Sequence, residues 1–216
     1  MPYAAADRQE FIKRSGIAPD THILDFGGVL YEEFPCAVSG ITARKQLSNA
    51  VIMKPALVPF KDAAFDAVVS YHYFDLLPSD LLGYVFKEVA RVLKKDSNFS
   101  FMVQLWAPQN EAQRSSLFFN ELLKASGAIY THEFTDISGE LSDSGFGDIT
   151  VETIKRDILI PRDFVRSHLM LLGNLVKKEQ KEGVAGIKTL AKQYFEQVKE
   201  YGEAMLPALH FTAKKI

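Results

Sequence analysis

A chain of 216 residues, 47% hydrophobic and 24% charged, is long enough to bury a full core within one domain. Its net charge of −2 supplies no basic stripe to draw it to nucleic acid or an anionic membrane, and no apolar run is long enough to span a bilayer. A single cysteine, Cys36, excludes an intramolecular disulfide, and the N-terminus has no basic region ahead of an apolar run, so the cytoplasm is the expected compartment.

Short apolar runs alternate with amphipathic helices along the chain, the pattern of a doubly wound sheet. His22-Ile-Leu-Asp-Phe26 reads as a first buried strand ending in Gly27-Gly28, and Cys36-Ala-Val-Ser-Gly-Ile-Thr42 as a second. Only eight positions, 28–35, separate them, whereas a parallel crossover with its helix takes at least about 10–12 residues. With Pro35 and Glu32-Glu33 in that stretch, the first crossover helix is expected to be missing or reduced to a turn. A short third strand falls near Val51-Ile-Met53, and Phe65-Asp-Ala-Val-Val-Ser-Tyr71 is a clear fourth. Pro78-Ser-Asp80 starts a helix in which Leu81, Leu82, Val85, Phe86, Val89 and Leu93 recur at helical spacing. Asn98–Gln104 is the next strand, and 109–126 a helix with Leu117, Phe118, Leu122 and Leu123 on one side.

Two further helices are expected at 162–181 and 184–202. The first carries an apolar face of Phe164, Val165, His168, Leu169, Leu172, Leu175 and Val176; Ile187, Leu190, Ala191, Tyr194, Phe195, Val198 and Tyr201 form that of the second. Both faces require a partner: the sheet and the substrate end of a pocket, or a homodimer surface.

The sharpest pattern is Val58-Pro-Phe-Lys-Asp-Ala-Ala-Phe-Asp-Ala-Val-Val-Ser70 followed by Glu88-Val-Ala-Arg-Val-Leu-Lys-Lys95. It resembles the middle of a class I S-adenosylmethionine (SAM)-dependent methyltransferase, with Lys95-Asp96-Ser97 where a Pro-Gly-Gly turn would stand. Ser144–Thr153 is similar to a late strand of that family and Ala208–Lys215 to its last strand, so the resemblance covers nearly the whole chain. It implies an α/β fold: a Rossmann-like, doubly wound, seven-stranded sheet, mostly parallel with an antiparallel last strand. It also implies one methyltransferase-like domain over 1–216, in which a helical insertion at 162–202 covers the substrate side.

The resemblance further implies SAM as methyl donor, S-adenosylhomocysteine (SAH) as product, and a small apolar or aromatic molecule as acceptor. The family's glycine-rich loop matches Asp25-Phe26-Gly27-Gly28-Val29-Leu30-Tyr31, with Val29 and Tyr31 where the second and third glycines belong. A valine suits positive φ poorly, and the Tyr31 ring is expected to take space a donor would fill. Thr42 stands where an acid usually holds the ribose. Together with Gln46 it either takes over that role or simply caps the following helix. Lys54 falls where an acid would accept the adenine amino group, which a lysine cannot do; otherwise it is a solvated loop residue. Donor contacts are thus expected from Asp25, Phe26, Gly27, Gly28, Thr42, Gln46, Phe60 and Tyr71.

Methyl transfer from a sulfonium requires chiefly proximity and orientation, so no conspicuous catalytic group is demanded. His72 and Tyr73 are the catalytic candidates, His72 as base with Tyr73 or Asp75 orienting it; both are otherwise pocket wall. Tyr31, Trp106, His132 and His168 are further aromatic candidates. No metal site is expected, since His22, His72, His132, His168 and His210 lack ligand spacing. Two functions remain open: a methyltransferase with a variant donor site, and a non-catalytic relative that has lost the donor and serves as a partner subunit or binds another ligand.

Overall fold

The computed structural model describes residues 4–18, 21–34, 37–42, 48–182 and 186–216. They fall into two compact units, one built chiefly from Gln104–Thr131 and Ile154–Ala208, the other from Ala5–Val103, His132–Thr153 and Leu209–Ile216. The second unit carries the sheet. Its strands are β1 (Ile23–Phe26), β2 (Val38–Ile41), β3 (Ala50–Ile52), β4 (Phe65–Tyr71), β5 (Leu93–Gln104), β6 (Phe146–Ile154) and β7 (Ala208–Lys215), in the order β3-β2-β1-β4-β5-β7-β6. β3, β2, β1, β4 and β5 run parallel, and β7 is antiparallel. The helices of this unit are α1 (Ala5–Ser15), α2 (Ser79–Val92) and α4 (Phe134–Asp143). Among the described residues no helix is long and apolar enough to cross a membrane.

The central strands are apolar throughout because helices cover both faces of a parallel sheet: all four residues of β1 are buried, and so are six of the seven in β4. Beneath them lies an aromatic core. Phe74 meets Phe26, Phe86, Phe99 and Phe101 at centroid distances of 5.1–5.9 Å, and Phe101 stacks on Phe211 at 4.9 Å.

The crossover from β1 to β2 contains no helix among its described residues, as the short spacing requires. A turn at 31–33 replaces it. Leu30 N–H donates to Asp25 Oδ2 at 2.9 Å, Phe34 N–H closes on Leu30 O at 2.8 Å, and the Leu30 and Phe34 side chains plug the core beneath.

The Glu88-Val-Ala-Arg91 motif acquires a structural reason. Arg91 donates to Phe60 O (2.7 Å) and Val58 O (2.8 Å) while holding Glu88 and Asp62, and Glu88 accepts from Val58 N–H. One guanidinium thus fixes the loop ahead of β4, and its carboxylate partners push its pKa further up. β5 begins five residues earlier than the sequence pattern suggests. Phe65 pairs with Leu93 but Ala67 already with Asn98, so the strand absorbs the intervening residues as a bulge with Asp96 at φ 60°.

Two helices were not expected. α4 packs on α2, while α1 is held to the sheet by a buried polar chain in which Ser15 Oγ meets Ser100 Oγ (2.8 Å) and Ser100 Oγ meets His210 Nε2 (2.8 Å). Burial lowers the His210 pKa; Arg14 adds to that shift and Glu152 opposes it. The unfolded chain therefore takes up this proton first as pH falls below about 6.5, and stability is lost from there down to the folded pKa. Urea unfolding at pH 7.5 and 5.5 is expected to show this slope in the wild type and a shallower one in His210→Gln. Equal slopes would sink the assignment.

The first unit packs α3 (Glu111–Ala125), α5 (Arg162–Glu182) and α6 (Ile187–Tyr201) around Phe119, Leu122, Leu172, Ile187 and Tyr194. The two apolar faces anticipated on α5 and α6 therefore find partners within this unit, although Phe195 and Tyr201 remain exposed. On α3 Leu122 lies deepest, and Phe119 is buried while Phe118 packs at the cluster's edge.

Candidate functional site

In a doubly wound sheet, ligands bind beyond the C-terminal ends of the strands where the order reverses direction. Here the chain runs outward from β1 to β2 and β3, then returns to place β4 on the other side of β1. The reversal lies at the C-terminal ends of β1 and β4, where Gly27-Gly28 follows one strand and His72-Tyr73 the other.

Both glycines are required locally. Gly27 has φ 111° and Gly28 φ 63°, regions costly for other residues. A Cβ on Gly28 would stand 2.3 Å from Ile41 Cγ2, so its bareness serves the packing of β1 on β2. A Cβ on Gly27 would stand 2.7 Å from Tyr73 Cβ and 2.8 Å from its Cγ and Cδ2. The Tyr73 side chain therefore rests directly on Gly27, beside Phe26 at a ring distance of 5.5 Å, and it is buried.

Burial raises the Tyr73 phenol pKa, and the neighbouring Thr42 side chain opposes the shift. His72, with φ 56°, has an orienting partner: its Nδ1 lies 2.7 Å from Asp75 Oδ2, and its backbone N–H donates to Met102 O. That is the arrangement of a base held by a carboxylate.

The other expected contacts separate. Asp25 is wholly buried, and its Oδ2 braces the turn through Leu30 N–H. Phe26 belongs to the aromatic core. Tyr71 is buried against Phe11, its hydroxyl donating to Asp7. Phe60 packs edge-on against Phe65, the first residue of β4, so the structure places it at the opposite end of that strand from Tyr71 and away from the glycines. Gln46 lies outside the described residues. Lys54 is exposed and bridges to Leu57 in a surface turn. Tyr31 is 42% exposed and bonded to Glu32, and the ring that rests on Gly27 is Tyr73.

Missed altogether was α1. Arg8 is nearly buried and pairs with Glu33 Nε to Oε1 at 2.5 Å and more loosely with Glu32 at 3.6 Å. Beside it opens a cavity of about 450 Å³ lined by Ala5, Arg8, Gln9, Ile12, Glu32 and Glu33. The spacing of Arg8, Phe11 and Ser15 on one helical face was the available signal.

Could the crevice hold the donor that the resemblance implies? The turn has the positive-φ glycines such a donor loop needs, with Tyr73 resting on Gly27 and Ile41 packed against Gly28.

Strand order, the antiparallel β7 and the glycine turn after β1 define the class I SAM-dependent methyltransferase fold. Residues 37–101 match the family profile described as "Methyltransferase domain". The BH2331 protein of Bacillus halodurans C-125, a candidate methyltransferase, superposes with a TM-score of 0.61 at 15% identity, over 98% of this chain and 99% of that one. Geranyl diphosphate C-methyltransferase of Streptomyces coelicolor A3(2), solved with SAH, gives 0.59 at 13% identity, over 98% and 79%. The [4+2]-cyclase SpnF gives 0.59 at 15%, over 98% and 81%. No curated protein sequence matches the chain significantly. The fold and the profile match together support a SAM-dependent methyltransferase.

Proposed function

We propose that this protein transfers a methyl group from SAM to a small apolar or aromatic acceptor, acting in the cytoplasm as one domain with 162–202 as an insertion. The observation that carries the reading is the coincidence of the methyltransferase profile over 37–101 with positive-φ glycines at the switch point of the sheet. Gly27, Gly28 and Thr42 hold the donor, with Asp25 bracing their turn from below. SAM supplies an electrophilic methyl when bound. His72, oriented by Asp75, takes the acceptor's proton where the acceptor carries one.

A second reading, a methyltransferase fold that works without methyl transfer, draws support from Tyr73, whose ring covers Gly27. The name of SpnF, a [4+2]-cyclase, fits the same idea.

Calorimetric titration with SAM and SAH distinguishes them. Binding in the micromolar range is expected. Absence of heat at millimolar ligand, in both the wild type and a variant with Tyr73 truncated, would overturn the donor reading.

A further inference from the structure

We propose that the cavity between α1 and the turn at 31–33 binds a small organic cation with N–H donors, a primary or secondary ammonium, held by the Glu33 carboxylate. It is separate from the donor site proposed above, since none of Gly27, Gly28, Thr42 and His72 is among the described residues that line it.

The cavity measures about 450 Å³, room for a small molecule. Its wall joins Ala5, Arg8, Gln9 and Ile12, from one face of α1, to Glu32 and Glu33 of the turn that replaces the first crossover helix. Two carboxylates thus share one guanidinium, and the lining carries an excess of negative charge. A guanidinium serves a carboxylate best as a bidentate fork. Arg8 instead engages Glu33 through Oε1 alone, at 2.5 Å from Nε, with its Nη2 turned toward Glu32 at 3.6 Å.

The observation that points to a ligand is Glu33 Oε2. It is buried, in a side chain only 9% exposed, and has no hydrogen-bond partner. A charged oxygen withdrawn from water without a donor is unfavourable. The turn itself cannot supply the donor, because the backbone N–H groups of Glu33 and Phe34 both go to Leu30 O. The terminal torsion of a glutamate is soft, so a small rotation presents Oε2 to the cavity that its own side chain lines. The oxygen lacks an N–H donor and the lining lacks a positive charge; an ammonium supplies both. Ile12 and Ala5 give its carbon body an apolar wall. An ion pair present only to pin α1 to the turn would require no cavity beside it and would leave neither carboxylate oxygen unmet.

The test uses benzylammonium chloride, with benzyl alcohol and benzoate as its neutral and anionic counterparts. Each is titrated into ¹⁵N-labelled protein and followed by NMR at the backbone N–H groups of Arg8, Gln9 and Glu33. Benzylammonium is expected to saturate in the millimolar range and to bind about tenfold or more tighter than either counterpart. Glu33→Gln keeps an oxygen for Arg8 but places an N–H donor where Oε2 stood, and should weaken the ammonium about tenfold or more. Glu32→Gln, whose carboxylate is 63% exposed, should weaken it by about threefold or less. Absence of benzylammonium binding at tens of millimolar, equal binding of the alcohol or benzoate, or unchanged affinity in Glu33→Gln overturns the proposal. Should Glu33→Gln fail to fold, the comparison of the three probes on the wild type decides alone. Retention of the probe under saturating SAH supports a separate site, and its displacement by SAH overturns one.

Discussion

Gly27→Ala is expected to lower stability by about 2–6 kcal/mol, from backbone strain of about 1–3 kcal/mol and overpacking of about 1–3 kcal/mol. The first contribution follows from φ 111° at residue 27, where an L side chain strains the backbone whatever space surrounds it. The second follows from Tyr73, whose Cβ would lie 2.7 Å from the new methyl, against backbone-attached carbon that cannot rotate away. The two can be separated. Gly127 also has a positive φ, 72°, yet nothing lies within 4 Å of a Cβ there, so Gly127→Ala should report the cost of a left-handed position alone, about 1 kcal/mol. The double variant Gly27→Ala, Tyr73→Gly should recover the steric part when measured against Tyr73→Gly alone, because only glycine removes the clashing Cβ. Urea unfolding of the four variants and the wild type gives all the differences, and a Gly27→Ala cost no larger than that at Gly127 would show that Tyr73 does not rest where it is placed.

Glu203→Ala should be comparably severe, about 3–5 kcal/mol, because it removes one member of a buried charged network and strands the rest. The Glu203 side chain is 1% exposed and fully engaged: Tyr194 OH donates at 2.8 Å, Ser116 Oγ at 3.1 Å, and His168 Nδ1 lies 3.0 Å away. Burial, followed by the Glu203 charge, pushes the Tyr194 phenol far above its ordinary pKa, so it remains a donor at any working pH. His168 in turn stacks on Phe119 at 4.2 Å, which places the network against the apolar cluster of the helical unit. Truncation therefore leaves the buried Tyr194 hydroxyl without its acceptor and opens a void beside it, while Ser116 keeps its bond to Ala204 O. Glu203→Gln keeps an acceptor oxygen of nearly the same shape and should cost less than half as much. If the two variants destabilise equally in urea, the charge rather than the hydrogen-bonded shape is what matters, and this account of the network is wrong.

The arrangement of strands and helices was largely legible because its determinants are local. β4 matches its predicted span residue for residue, since an uninterrupted apolar run bounded by turn residues has one economical solution. The absent crossover helix followed from chain length alone. α1 and α4 escaped because their signals are weak in isolation: α1 buries Asp7, Arg8 and Ser15, residues whose burial makes sense only once Tyr71, Glu33 and Ser100 are in place to satisfy them. β5 was set too short because Asp96 takes a left-handed φ by a register shift against β4, which no residue of its own segment announces.

The candidate site divides along the same line. Sequence by itself determined the fold class, the glycine turn after β1 and the His72-Tyr73 pair after β4, because glycine pairs and strand ends are written in consecutive residues. Only the tertiary structure decided what each side chain does there. Val29 and Tyr31 stand where glycines would in the motif, yet the ring that rests on Gly27 belongs to Tyr73, 46 positions beyond it in the chain, and Phe60 faces the far end of the sheet. The physical reason is that a motif specifies backbone conformation, whereas occupancy of a cavity depends on side chains delivered by other strands. Their meeting is fixed by the register of β1 against β4, where Asp25 pairs with Val69, and not by any spacing within either segment.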